Sequence, residues 1–249
     1  MAVAMINVIN TAKAIAEKHF LPIRQKLDTH QPSFDGKKVH LIPELKPAIA
    51  AVNASGIGCA TADYELGGMQ LPPIVASAAA TYLTIAGGVG MGYNMLTTAN
   101  ANLLLAHASK DMIEKWVKPM LAGRFMGTMA MTEPGSGSGL GDLSTKAVKT
   151  DDGNYRISGS KIFISGGDHD LSENIVHLVL ARIQGAPKGV KGISLFVVPK
   201  FLLNDDGSIG NDNEVALAGL FHKMGGRAQT STALSFGEKN GSIGYLVGE

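Results

Sequence analysis

The feature of this sequence that most constrains its fold is a change of periodicity near Gly123. Before that point apolar residues recur every three or four positions, which gathers them on one face of an α-helix. After it they come in short alternating or continuous runs rich in Val, Ile, Phe and Thr, the pattern of β-strands. Helices are expected over residues 1–27, 43–52, 73–86, 91–108 and 111–121, with Ser, Asp or Pro near the starts of the later ones. Strands are expected over 127–132, 144–150, 155–158, 161–165, 175–183, 193–199, 215–221 and 230–236. Between them lie Asp152-Gly153-Asn154, Ser158-Gly159, the stretch 185–192 and Asn204-Asp205-Asp206-Gly207, with the small and polar residues that tight turns require. The expected architecture is α+β, with an all-helical N-terminal domain at 1–123 followed by a middle domain at 124–249 that forms a β-barrel or sandwich.

Composition narrows the function classes. With 249 residues, 45% of them hydrophobic and 17% charged, the chain can bury a sizeable core. A net charge of +1, dispersed Lys and Arg and few aromatics leave no basic stripe for nucleic acid. Cys59 is the sole cysteine, which rules out an intrachain disulfide or a cysteine-based zinc site and fits a reducing, cytoplasmic setting. Residues 71–109 contain no Asp, Glu, Lys or Arg and exceed the ~20 residues needed to span a bilayer. Pro72, Pro73, the cluster Gly87-Gly88-Val89-Gly90-Met91-Gly92 and scattered Thr, Asn and Ser divide that stretch into two short, closely packed helices, so no integral membrane span is expected.

Two segments carry the candidate chemistry. Met129-Ala130-Met131-Thr132-Glu133-Pro134-Gly135-Ser136-Gly137-Ser138 reads as a strand that ends in a hydroxyl and runs into a Gly/Ser loop. Lys161-Ile162-Phe163-Ile164-Ser165 reads as a second strand ending in a hydroxyl. Strand-end hydroxyls and the bare amides of a glycine loop can together line a pocket for a flat ligand with a polar edge. Other candidates are weaker. In Asp168-His169-Asp170, neighbouring strand residues point to opposite faces, so the three cannot converge on a metal or substrate. His107, His177 and His222 stand alone among apolar residues, as core or surface histidines do. No strand precedes the glycines at 87, 88, 90 and 92, so the dinucleotide-binding context is missing and they serve helix packing or the wall of a pocket.

The α-then-β order and the two segments resemble the flavin-dependent acyl-CoA dehydrogenases. That family's middle domain carries a T-E-P-x-x-G-S-like loop and a later strand of the form K-x-[WF]-I-[ST], here Thr132 to Ser138 and Lys161 to Ser165. Lys223-Met224-Gly225-Gly226-Arg227 is similar to its K-x-G-x-R turn. The resemblance covers essentially the whole chain and is strongest to the long bacterial members.

It implies FAD as cofactor, with Met129, Ala130 and Met131 along the ring and their backbone groups facing its pyrimidine atoms, the Thr132 hydroxyl near N1 and O2, Phe163 against the ring, and Ile164 also among the cofactor-binding residues. Ser165 is then directed at N5, while Gly137 and Ser138 meet the pyrophosphate, Ser138 also lying near the acyl-CoA entrance. Glu133 fixes the loop and is not the base. The implied reaction is α,β-dehydrogenation of an acyl-CoA thioester by a homo-oligomeric enzyme that passes electrons to an electron-transfer flavoprotein. Family members continue into a C-terminal four-helix bundle that supplies the catalytic glutamate. The resemblance therefore implies a fragment that lacks this base and is inactive alone, with Glu249 belonging to the end of the last strand. Acyl-CoA oxidases and flavin monooxygenases share the architecture, and a non-catalytic subunit that binds acyl-CoA or FAD is the remaining alternative.

Overall fold

The computed structural model describes residues 2–248; Glu249 lies outside them. The N-terminal third begins with α1 (Ala2–Ile15), continues through a π-helical turn (Ala16–Phe20) and a 3-10 turn (Leu21–Ile23), and resumes as α2 (Arg24–Thr29). The single helix expected over 1–27 is thus interrupted. Pro22 has no N–H to bond one turn back, and the tighter and wider turns around it absorb the break while Phe20 inserts into the core.

A two-stranded antiparallel hairpin follows, β1 (Ser33–Phe34) and β2 (Val39–His40), so this part of the chain is not all-helical. Asp35 builds its turn by accepting hydrogen bonds from the Lys37 and Lys38 N–H groups at 2.8 and 2.9 Å, an interaction that hydropathy patterning does not register.

Helices α3 (Leu45–Ala54), α4 (Pro73–Gly87) and α5 (Gly92–His107) come next, then α6 (Lys110–Met112), a π turn (Ile113–Val117) and α7 (Lys118–Leu121). The uncharged stretch is two helices as expected, and among the described residues no helix is long and apolar enough to cross a membrane. The two are not packed closely on each other, however. Helix α4 lies on α1, and α5 lies on the first strand of the large sheet. Between α4 and α5 a groove opens, and Ile74, Ile85 and Met95 stay exposed. At the end of α4, a Cβ on Gly87 would come within 2.6 Å of the Phe20 ring, so glycine there permits a close helix contact.

The remainder is built from β3 (Phe125–Ala130), β4 (Lys146–Lys149), β5 (Tyr155–Ser165), β6 (Asn174–Ile183), β7 (Ile193–Pro199), β8 (Phe201–Leu203), β9 (Ile209–Asp212), β10 (Val215–Leu220), β11 (Ser231–Phe236) and β12 (Ser242–Leu246). Strand β5 pairs with β12, β12 with β7, β7 with β6, β6 with β4, and β4 with β5 again, so these five strands close into a small barrel. Strands β11 and β10 extend it from β5, and β3 adds to β6 in parallel.

Two short strands were expected where β5 runs unbroken for 11 residues. Gly159 does not turn the chain; its backbone is extended, and a Cβ there would meet Thr145 Oγ1 at 2.5 Å, so glycine lets β5 pass close to its neighbour. The closing strand β12 and the hairpin β8–β9 were not anticipated. Ser242, Gly244, Gly210 and Asn211 dilute the β-branched pattern there.

The core has three parts. Phe20, Ile49, Leu83 and Tyr93 fill the helical layer; Ala130, Ile157, Ile164, Val179, Phe196 and Phe236 fill the barrel; Trp116, Phe125, Leu104 and Val176 join helices to sheet. The third cluster matters most for the site, because it fixes α5 against β3.

Candidate functional site

Strand β3 leads into the first motif and is an edge strand with β6 on one side only. Its exposed ladder groups would invite non-native pairing, and α5 covers them with polar side chains. Gly127 N–H donates to Thr97 Oγ1 at 3.1 Å. Asn100 Nδ2 donates to the carbonyls of Thr128 at 3.3 Å and Val176 at 2.8 Å. The chain leaves β3 held on both sides, and the next two residues emerge at the surface of the barrel: Met131 exposed, Thr132 half-buried.

Thr132 meets the second motif directly. Ile162 N–H donates to the Thr132 carbonyl at 2.9 Å, so the two segments, separated by some thirty residues in sequence, are hydrogen-bonded neighbours. Beyond Thr132 the chain folds into a tight turn in which Glu133 and Ser136 exchange N–H to carbonyl bonds of 2.8 and 3.1 Å. Gly135, Gly137 and Gly139 lie in an open loop, with nothing within 4 Å of where a Cβ would stand.

Beneath this loop is a buried ion pair. Lys161 is fully buried and its Nζ donates to Glu133 Oε1 at 2.8 Å and to the Met131 carbonyl at 3.0 Å. Glu133 also accepts from Ser144 N–H (2.6 Å) and Oγ (2.8 Å), and from Thr145 N–H (3.0 Å) and Oγ1 (2.5 Å). Burial pushes the Glu133 carboxyl up, but hydrogen bonds from Lys161, Thr145 and Ser144 outweigh it and hold the group at about 2. Burial pulls Lys161 below the ordinary lysine range, against the opposing hydrogen bond and charge of Glu133. A carboxylate bound by five donors is a clamp, and it has neither the basicity nor the freedom to remove a proton from a substrate.

Phe163 has an unusual backbone. Its φ is +57°, and the register between β5 and β11 shifts at this point from Thr232 opposite Ile164 to Leu234 opposite Lys161. A β-bulge in the left-handed region is costly for a bulky residue, and it turns the ring out of the sheet. The ring is 49% exposed. It leans on Phe221 at a centroid distance of 4.3 Å, and Lys223 Nζ stands 5.1 Å from its centre.

The side chains of Ala130 and Ile164 point into the barrel core and that of half-buried Met129 packs toward the helices, which leaves backbone groups of these three for a ligand. Met131, Thr132, Phe163 and half-buried Ser165 lie along the two joined segments, while Gly137 and Ser138 are on the exposed loop. The Thr132, Gly137 and Ser138 N–H groups donate to no acceptor among the described residues. Ser231, opposite Ser165, has a buried hydroxyl with no partner among the described residues. An exposed apolar face beside unpartnered donors matches a ligand that is flat and apolar on one side and rich in acceptors on the other.

Phe221, Lys223 and Ser231 also border these segments and were not among the residues expected to meet a ligand, although Lys223 opens a motif already noted. The aromatic two positions before the Lys223-Met224-Gly225-Gly226-Arg227 motif was the available signal for the first two; Ser231 carried none.

The groove between α4 and α5 encloses about 850 Å³ and is mainly apolar, with walls from Val52, Ile57, Leu83 and Met95. Asn94 Oδ1 and Gln229 Nε2, both without partners among the described residues, mark its polar points. Asp168, His169 and Asp170 lie in a loop and not on a strand, yet they still do not converge. Asp168 pairs with Lys200 at 2.8 Å, Asp170 with Lys46 at 3.6 Å, and His169 is buried edge-on to Tyr93. Among the described residues no group of three or more His, Cys, Asp or Glu is placed to hold a metal.

Residues 128–237 match the family described as "Acyl-CoA dehydrogenase, middle domain". A 3-methylmercaptopropionyl-CoA dehydrogenase of Ruegeria pomeroyi is 45% identical over 186 residues, which is 74% of this chain and 31% of that protein. A broad-specificity linear acyl-CoA dehydrogenase of Mycobacterium tuberculosis is 37% identical over 235 residues, 89% of this chain and 37% of that protein. The chain thus spans about a third of the length of these relatives. Among solved structures, an acyl-CoA dehydrogenase complexed with FAD from Bacillus anthracis superposes with a TM-score of 0.76 at 20% identity, covering 100% of this chain and 38% of that one. Butyryl-CoA dehydrogenase from Megasphaera elsdenii gives 0.75 at 21%, covering 98% and 58%. At those identities the structural likeness concerns the fold alone.

Proposed function

The chain belongs to the acyl-CoA dehydrogenase family, and on that premise we propose that the junction of Thr132 with Phe163 is the flavin-ring site of an FAD-dependent acyl-CoA dehydrogenase. One observation carries this reading. The Ile162 to Thr132 bond of 2.9 Å joins a strand end with an unpartnered N–H to a strand whose strained Phe163 ring is turned outward. The donor set fits FAD: Thr132 N–H and hydroxyl for the acceptor-rich pyrimidine edge, Phe163 and Met131 for the apolar ring, and the open Gly137–Ser138 amides for the pyrophosphate. Bound there, FAD supplies the acceptor for the hydride that leaves the β-carbon of an acyl-CoA thioester.

This chain's residues bind and orient. The Glu133–Lys161 pair fixes the loop, α5 fixes β3 through Thr97 and Asn100, and the apolar groove beside α5 suits an acyl chain. Glu133 is not the proton-abstracting base, since its carboxylate is fully engaged by Ser144, Thr145 and Lys161. We further propose that electrons pass on to an electron-transfer flavoprotein and that the working enzyme is a homo-oligomer.

FAD added to the purified 249-residue polypeptide is expected to bind, with quenching of flavin fluorescence. Phe163→Ala should weaken binding about tenfold, as loss of an aromatic contact of about 1.5 kcal/mol implies. Unchanged affinity in that variant would remove the ring from the site. The same polypeptide loaded with FAD should show no acyl-CoA turnover in a dye-reduction assay; measurable turnover would show that a residue other than the engaged Glu133 acts as base within it.

A further inference from the structure

The ion pair under the loop does more than anchoring requires. Glu133 already has four donors from Ser144 and Thr145, and burying an ammonium beside it is costly. Lys161 directs one of its three N–H bonds elsewhere, to the Met131 carbonyl at 3.0 Å. That carbonyl and the Thr132 N–H belong to the same peptide group, and the N–H has no acceptor among the described residues. A cation on the carbonyl oxygen draws electron density along the amide and makes its N–H a stronger donor, an effect that is large where water is excluded. Lys161 is fully buried, so its charge is weakly screened.

We infer that Lys161 is a positioning residue that acts through the Met131–Thr132 peptide, strengthening the Thr132 N–H so that the site favours the reduced form of the bound cofactor. The inference rests on the FAD reading of this site. Two electrons and one proton arrive together as hydride, so the ring system gains one negative charge. A donor preset at its acceptor edge therefore holds the reduced form more tightly than the oxidised one. Glu133 does not cancel the effect, because its charge is shared among four further donors while Lys161 has only Glu133 and the Met131 carbonyl as recorded partners.

The test compares the protein with the double variant Lys161→Gln/Glu133→Gln, which keeps a neutral N–H donor near Met131 and removes both charges. FAD is titrated into each, circular dichroism reports folding, and the midpoint potential of the bound cofactor is measured against reference dyes. The expected result is that the reduced form loses about tenfold more affinity than oxidised FAD does, a potential lower by about 30 mV for two electrons. A purely structural pair would weaken both forms alike and leave the potential unmoved, which would overturn the inference. If the double variant does not fold, Lys161→Gln alone is read in the same way, and loss of folding in both assigns the pair to stability and overturns it. Absence of FAD binding in the unaltered protein would defeat the site reading itself, a separate and recognisable failure.

Discussion

Glu133→Ala is expected to lower the stability of the protein by about 3–5 kcal/mol, the range for a buried ion pair broken from one side. The substitution leaves the Lys161 ammonium uncompensated at zero exposure and orphans the N–H and hydroxyl groups of Ser144 and Thr145. Urea unfolding should show the midpoint falling with little change in slope. The loop would loosen at the same time, because Lys161 ties Glu133 to the Met131 carbonyl. The pH dependence carries a matching sign. A carboxyl held at about 2 in the fold, below its ordinary 4.5, contributes stability that is complete above pH 4.5 and lost as pH falls toward 2. A cost below about 0.5 kcal/mol for Glu133→Ala, the range of an ordinary surface change, would mean that the pair is solvated and fixes nothing.

A second large effect begins at higher pH. His169 and His177 are both buried, and burial, with a smaller push from the Lys200 charge, holds each at about 3 against an ordinary 6.5. Each therefore stays neutral in the fold while the unfolded chain takes up a proton. Stability is complete above pH 6.5 and falls by about 1.4 kcal/mol per pH unit for each histidine as pH drops toward 3, nearly 3 for the two together. Unfolding in urea at a series of pH values between 6.5 and 4.5 should show this slope, before Glu133 begins to titrate. His177 sits under the site, its Nδ1 2.7 Å from the Thr128 hydroxyl and its ring edge-on to Phe236. His177→Gln should halve the slope; an unaltered slope would show that His177 is not held neutral in the fold.

The helix-to-strand switch was legible because burial follows period: Ile49 and Val52, or Ile157 and Ile164, lie where hydropathy puts them. The two motif segments were legible as residue types, and the fold joins them. What could not be read was set by long-range contact. Gly159 looks like a turn residue until Thr145 presses on it, and Pro22 looks tolerable within a helix until the register shifts around it. The groove between α4 and α5 exists because α4 takes α1 as partner and α5 takes β3, a choice that no local pattern encodes. At the site, the outward turn of Phe163 depends on a register shift against β11, and its neighbours Phe221 and Lys223 arrive from nearly sixty residues away.

FAD bound where Thr132 meets Phe163 would shield both segments from solvent. Hydrogen–deuterium exchange of the protein with and without FAD locates the ligand without relying on turnover. Added protection is expected for the amides in residues 131–138 and 161–166, the first of them including the Thr132 N–H, with the β1–β2 hairpin unchanged. Protection confined to other segments, with both of these exchanging as before, would contradict that placement of FAD.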